Sequence, residues 1–298
     1  MNIERRFIVV LRKKQELLIQ YIFFLTAMVV CFTIAAIVVF VGKQGLKTFL
    51  AVSPLEFFGS TKWAPDQNQF GALTFISSSF FVTLLALLLG GPLGIAGAMF
   101  SAKIVPSWLT GYLRTVVDLL AGIPSVVYGW VGLTIIVPAI RQISPNQNGF
   151  GLLAAGIILA IMILPTVLSL AEDALRSVPR SLEEASYALG ATRWQTIWHV
   201  LLPAAAPGII TGLVLGMARA IGETMAVQMV IGNTPLFPRS LFQPTATLTS
   251  EIVMEMGNTA FNSTWNNALF LMAFVLLLIA LGLILLVRKF TASKEEGH

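Results

Sequence analysis

The sequence predicts an all-α, polytopic membrane protein with six transmembrane helices, and three observations carry that expectation. Of 298 residues, 56% are hydrophobic and only 11% charged, against the roughly one quarter charged that keeps a soluble domain wet. Apolar stretches near 21–41, 72–101, 112–140, 150–171, 205–231 and 267–287 each reach the roughly 20 residues that cross a hydrocarbon core about 30 Å thick. The Lys and Arg residues gather in short clusters beside those stretches, as orientation signals do. That clustering also disposes of the net charge of +5 as a sign of nucleic-acid binding.

The first stretch follows a basic segment with Arg5, Arg6, Arg12, Lys13 and Lys14. It is longer than the h-region of a signal peptide and no small-residue cleavage site follows it, so a retained anchor is expected. Its Cys31 is the chain's single cysteine, which leaves no disulfide framework and no Cys/His metal cluster. Six spans put both termini on one side. The segments on that side hold 13 Lys and Arg, whereas the opposite segments hold five, namely Lys43, Lys47, Lys62, Arg141 and Arg239. Both termini and the segment 172–204 are therefore expected in the cytoplasm.

Two external segments, 42–70 and 232–266, mix aromatics with turn formers, as in Trp63-Ala64-Pro65-Asp66 and Pro235-Leu236-Phe237-Pro238. Interfacial anchoring and a docking surface for an external partner both fit that composition. Helix breakers lie inside three spans: Gly90-Gly91-Pro92 in the second, Gly122-Ile123-Pro124 and Pro138 in the third, and Pro165 in the fourth. Freed backbone groups are tolerated in a bilayer only where protein or a wet cavity satisfies them, so a packed bundle around a path is expected.

The fifth span carries Arg219 near its middle and Glu223 one turn later. A charge at that depth costs about 3 kcal/mol on insertion scales, so both should face a cavity or each other. On a continuous helix Gly208, Gly212, Gly216, Arg219, Ala220 and Glu223 share a face roughly 120° wide, and its small residues let another helix approach closely. Two readings stand: a structural Arg219–Glu223 pair, or an oxyanion contact by Arg219 with Glu223 holding the guanidinium when no anion is present. Arg114 and Asp118 form a similar spacing near the cytoplasmic edge, where snorkelling explains them.

Between the fourth and fifth spans, Ser181-Leu182-Glu183-Glu184 reads as a capping box that starts a short helix. Gly190 ends it in the left-handed conformation, and Thr192 to Gln195 forms a second box that opens another helix. Glu184-Ala185-Ser186, then Gly190 after three residues, then Val200-Leu201-Leu202-Pro203 resembles the coupling loop of ABC importer permeases: Glu-Ala-Ala, three residues, Gly, nine residues, Ile, one residue, Leu-Pro. Ser186 and Val200 are the departures from it. The resemblance implies a type I ABC importer permease fold in which the loop 177–203 seats on an ATP-binding subunit through Glu183, Glu184, Ala185, Gly190, Leu202 and Pro203. No Gly-x-x-x-x-Gly-Lys-Ser/Thr phosphate loop occurs in the chain. ATP and Mg are accordingly expected on partner subunits, with no cofactor, metal or catalytic residue in this one.

The stretches Arg219-Ala-Ile-Gly-Glu-Thr-Met-Ala-Val227 and Gly122-Ile-Pro-Ser-Val-Val-Tyr-Gly129 resemble the C-type permease subunits of the high-affinity phosphate importer family, over most of the chain from about 70 to 234. What this implies is a subunit of the bacterial inner membrane that passes inorganic phosphate. Its partners would be an A-type permease, a homodimeric ATP-binding subunit and an external phosphate-binding protein. Arg219 and Glu223 would line the path, and Ser125 and Tyr128 would either add hydrogen bonds to phosphate or serve packing at Gly and Pro. The corresponding division is a cytoplasmic segment 1–20, a first transmembrane helix and external loop 21–70, a permease domain 71–287 and a cytoplasmic tail 288–298. A permease for molybdate or sulfate, a passive channel, and a membrane-embedded enzyme using Glu223 are the alternatives.

Overall fold

The computed structural model describes residues 3–144 and 148–295. Side chains are described for 19–106, 108–144 and 148–285, so the basic residues at both ends of the chain lie outside them. Among the described residues six helical segments are long and apolar enough to cross a membrane, starting at Ile19, Leu73, Ser125, Leu152, Arg193 and Thr264. The number of spans expected from the sequence holds.

Helix α1 (Ile3–Leu46) leads into a small outer cap made of α2 (Pro54–Gly59) and a hairpin of β1 (Trp63–Ala64) and β2 (Gln69–Phe70). Helix α3 (Leu73–Met99) then crosses and ends in a widened π turn, Phe100–Ile104. The third span differs from expectation. Residues 107–122 form a separate helix, α4 (Ser107–Gly122), and the crossing segment begins only at α5 (Ser125–Val131), continuing through a π turn into α6 (Val137–Ile143). Pro124 is the cause: it disfavours helical backbone at Ile123, which is extended at φ −66°, ψ 129°. Arg114, moreover, pairs with Asp173 at 3.6 Å and not with Asp118.

Helix α7 (Leu152–Ser177) crosses back, and α8 (Arg180–Ala188) and α9 (Arg193–Thr196) follow it as the helix-turn-helix. A π turn, Ile197–Leu201, joins α9 to α10 (Leu202–Gly222), and α11 (Met225–Val230) follows a break. Helix α12 (Leu248–Met256) belongs to the outer cap, and α13 (Thr264–Glu295) completes the bundle against α1.

The bundle is built on α7. A Cβ at Gly90 would lie 2.7 Å from the Ala160 carbonyl, and one at Gly94 or Gly216 would lie 2.9 Å from Val167, so α3 and α10 grip the same stretch of α7 from two sides. Small residues spaced by four allow this approach, which dispersion rewards in a solvent as apolar as the side chains. The glycine row expected on the fifth span therefore packs inward as anticipated.

The cap accounts for part of the aromatic content of the two external segments. Phe57, Phe70, Phe75, Leu248 and Leu269 are buried in one core, with Trp63 edge-on to Phe70 and Phe75. These residues pack inward, whereas Leu50, Leu55, Phe58, Leu236 and Phe261 stay exposed. Below them Gln44 donates to Asn262 at 2.7 Å and to Asn267 at 2.9 Å, and Lys47 donates to Asn262 at 2.9 Å, which closes α1 onto α13.

Gly216→Leu should lower stability by roughly 1–3 kcal/mol through overpacking against Val167, whereas Gly282→Leu, whose Cβ meets nothing within 4 Å, should change little. Thermal unfolding in detergent checks the pair. A second prediction concerns Glu251, 5% exposed in the first turn of α12. Burial, and then the neighbouring Glu255, push its carboxyl up from 4.5 to about 7. The folded state thus prefers the protonated acid. That contribution is complete below the ordinary value and lost as pH rises through about 7. Between pH 5 and 8 the wild-type melting temperature should fall relative to Glu251→Gln, and a constant difference would contradict the assignment.

Candidate functional site: two helix breaks at mid-membrane depth

Helix α10 runs from the helix-turn-helix and stops at Gly222. Arg219 sits in its last turn and donates from Nη1 to Thr166 Oγ1 at 3.2 Å. Thr166 follows Pro165 near the midpoint of the 26-residue α7, which places the guanidinium close to the middle of the bilayer. Arg219 is exposed on the surface of the isolated chain at that depth.

The Arg219–Glu223 pair expected from the sequence does not form. Glu223 is extended at φ −70°, ψ 132°, so the helical turn that would stack it on Arg219 is missing. Its Oε1 accepts from the Ala226 amide at 3.4 Å, at the start of α11, and its carbonyl accepts from Thr249 Oγ1 at 3.0 Å. Glu223 is thus engaged by backbone and hydroxyl donors, which satisfies groups freed by the break. It lies off the glycine row that Gly208, Gly212 and Gly216 form along α10.

The second break, at Ile123-Pro124, adjoins the first. Tyr128 donates its hydroxyl to the Leu120 carbonyl at 2.7 Å, covering one of the acceptors that the end of α4 leaves open. Helix α5 packs on α11 where a Cβ at Gly129 would lie 3.0 Å from Ala226 Cα. Ser125 occupies the first turn of α5, half-buried. The structure thus joins Arg219 with Thr166, Tyr128 with the end of α4, and Glu223 with Thr249.

A narrow crevice runs beside the break, lined by Ser79, Thr83, Glu223, Thr247 and Thr249. Ser78 and Thr245 share a hydrogen bond of 2.6 Å, and Ser79 Oγ accepts from the Leu248 amide at 3.0 Å. The sequence reading missed this hydroxyl layer. Its signal was the run Ser77-Ser78-Ser79 inside an apolar span and the alternation Thr245, Thr247, Thr249, polar residues that seek partners within a membrane. Hydroxyls both donate and accept, so this layer can exchange hydrogen-bond partners within the crevice.

The helix-turn-helix between α7 and α10 has the expected shape with a different start. Helix α8 begins at Arg180 after an N-cap at Pro179 that makes no side-chain cap. Ser181 is already inside the first turn, so its capping box with Glu184 does not form. Pro179 has taken the position, with its fixed φ of −57°. The rest follows expectation: Gly190 has φ +83°, its amide donates to Tyr187, and the Ala191 amide donates to Ser186, the Schellman arrangement. Thr192 and Gln195 form the second capping box. Ser186, one departure from the Glu-Ala-Ala pattern, is buried and bonded to Thr196 at 2.9 Å, which locks α8 to α9. The widened turn Ile197–Leu201 precedes Pro203, whose ring a regular turn would not accommodate, and Leu202 opens α10 beside it. Glu184, Ala185, Tyr187, Leu189, Trp194 and Trp198 all face outward.

Comparison with known proteins places this geometry. The family of binding-protein-dependent transport system inner membrane components matches residues 90–293. A probable ABC transporter permease, YqgH of Bacillus subtilis, is 50% identical over 264 residues, covering 87% of this chain and 85% of that protein. The phosphate transport system permease protein PstC of Xylella fastidiosa is 35% identical over 278 residues, covering 86% and 84%. Among solved structures, a bacterial alginate ABC transporter superposes with a TM-score of 0.60 at 18% identity, over 89% of this chain and 92% of the other. The MetNI methionine transporter gives 0.53 at 23% identity, over 74% and 94%; both likenesses concern the fold. The chain belongs to the binding-protein-dependent transport system inner membrane component family, a multi-pass membrane subunit of type I ABC importer fold that serves transport and not catalysis.

Proposed function

We propose that this chain is the permease subunit of an ATP-driven importer that moves inorganic phosphate, paired with a second permease of A type, a homodimeric ATP-binding subunit carrying ATP and Mg, and an external phosphate-binding protein. One observation carries the reading: a guanidinium exposed on the side of the chain at mid-membrane depth, beside two helix breaks. Lipid does not tolerate such a group, so the surface around Arg219 faces a wet path or a second subunit. Broken helices at the midplane are where secondary transporters hold their cargo, and the breaks here supply the same kind of freed polar groups. Phosphate bears about −1.5 to −2 charges near neutral pH, taking the phosphoryl group as guide, and needs a fixed cation to offset its desolvation. The similarity to phosphate permeases supports phosphate over molybdate or sulfate.

The cytoplasmic helix-turn-helix supports the motor connection. Its outward Leu189, Trp194 and Trp198 form an apolar patch on a soluble loop, which suits a protein partner. The excess of Lys and Arg on that side supports cytoplasmic termini.

Uptake of labelled phosphate by the whole complex in proteoliposomes tests the reading. Arg219→Gln should reduce uptake by roughly a hundredfold and Arg219→Lys by less, because a point charge replaces a bidentate fork. Normal uptake by Arg219→Gln would remove the anion contact, and uptake of molybdate or sulfate in place of phosphate would reassign the cargo. Gly190→Val forces a β-branched residue into φ +83°, strained by roughly 1–3 kcal/mol. That variant should keep its ATPase partner on purification while losing cargo-stimulated hydrolysis. Intact stimulation would refute the coupling role.

A further inference from the structure

The helix-turn-helix is joined by the chain itself to only two crossing helices, α7 before it and α10 after it. Helix α3 ends some 75 residues earlier in sequence, and nothing covalent ties it to the loop. Its inner end nonetheless carries Lys103 within the π turn Phe100–Ile104. Lys103 Nζ donates to Glu183 Oε2 of α8 at 2.7 Å, with side chains 17% and 25% exposed. Arg193 of α9 donates through Nη2 to the Lys103 carbonyl. One residue is therefore held by both helices of the loop, from its side chain and from its backbone. Beneath it Ala98 of α3 shares a core with Ala171, Ile197 and Leu201.

We propose that Lys103 is the positioning residue that ties the coupling loop to α3, so that displacement of α8 and α9 moves α3 together with α10. The inference rests on the reading of 180–203 as the loop that docks the ATP-binding subunit. Its mechanical content is specific. Helix α3 contributes Ser79 and Thr83 to the crevice, and α10 leads to Arg219 and Glu223. If only α10 followed the loop, the two walls would shear across α7, where Val167 is in contact with the glycine positions of both helices. A link at Lys103 lets both walls move as one body. Lys103 lies in the last turn of the segment, where terminal carbonyls lack an intrahelical partner, so its carbonyl is open to Arg193. A sheltered, short ion pair transmits displacement better than a solvated one, which water and salt loosen.

The test compares phosphate moved per ATP hydrolysed in proteoliposomes containing the whole complex. Lys103→Glu and Glu183→Lys should each lower that quotient by at least roughly fivefold, the low end of measured couplings between sites. The exchanged double variant, Lys103→Glu with Glu183→Lys, should restore it to within about twofold, since a structural defect at either position would add and not cancel. Lys103→Gln keeps a donor and most of the stem without the charge. It must also lower the quotient, and it decides the matter should the reversals fail to assemble. A wild-type quotient in the single variants, or a double variant no better than either single, overturns the proposal. Failure of the docking reading gives a different signature: a cysteine at Tyr187 would not cross-link to the ATP-binding subunit in the otherwise unaltered complex.

Discussion

Where α3 and α10 lie against α7, the distance between helices is set by backbone and not by side chains. Gly94 and Gly216 bring both against Val167, and Gly90 meets the Ala160 carbonyl. Much of the structure depends on this close approach. It fixes the depth at which Thr166 receives Arg219, and it holds the hydroxyl face of α3 against the break that follows α10. Bulkier residues at those positions would push the helices apart and open the crevice to lipid, because the bilayer supplies no hydrophobic pressure to close a gap.

The glycine row, the left-handed Gly190 and the Thr192 capping box were legible in the sequence because each depends on neighbours a few residues away. The span count was legible for the same reason, since hydropathy is summed locally. The Ser181 box was misread although its pattern was complete: Pro179 determines where α8 starts, and a backbone constraint outweighs a side-chain preference. The third span was misplaced because 112–120 is apolar enough to count toward a crossing, while Pro124 ends that helix before the crossing begins.

The Arg219–Glu223 relation was out of reach for a different reason. Helical spacing over 205–231 gave no sign of a break, because α10 stops where partners distant in sequence receive it. Thr249 takes the Glu223 carbonyl, and α5 packs on α11 at Gly129. The hydroxyl layer and the Lys103–Glu183 pair likewise join segments 80 or more residues apart. Local pattern identified the chemical actors, while tertiary contacts decided their partners.

The polar clasp between α1 and α13 bears on how the chain is made. Gln44 finds Asn262 across 218 residues of sequence. At translation rates of roughly 5–20 residues per second, α1 waits on the order of 10 to 40 seconds before its partner emerges. During that interval it persists without this partner in lipid, its backbone satisfied internally, with Gln44 and Lys47 kept near the interface by their own polarity. The first helix is thus a placeholder in biogenesis. It enters early and is locked only when the last helix arrives, so any pause between the two lengthens the time it spends without that partner.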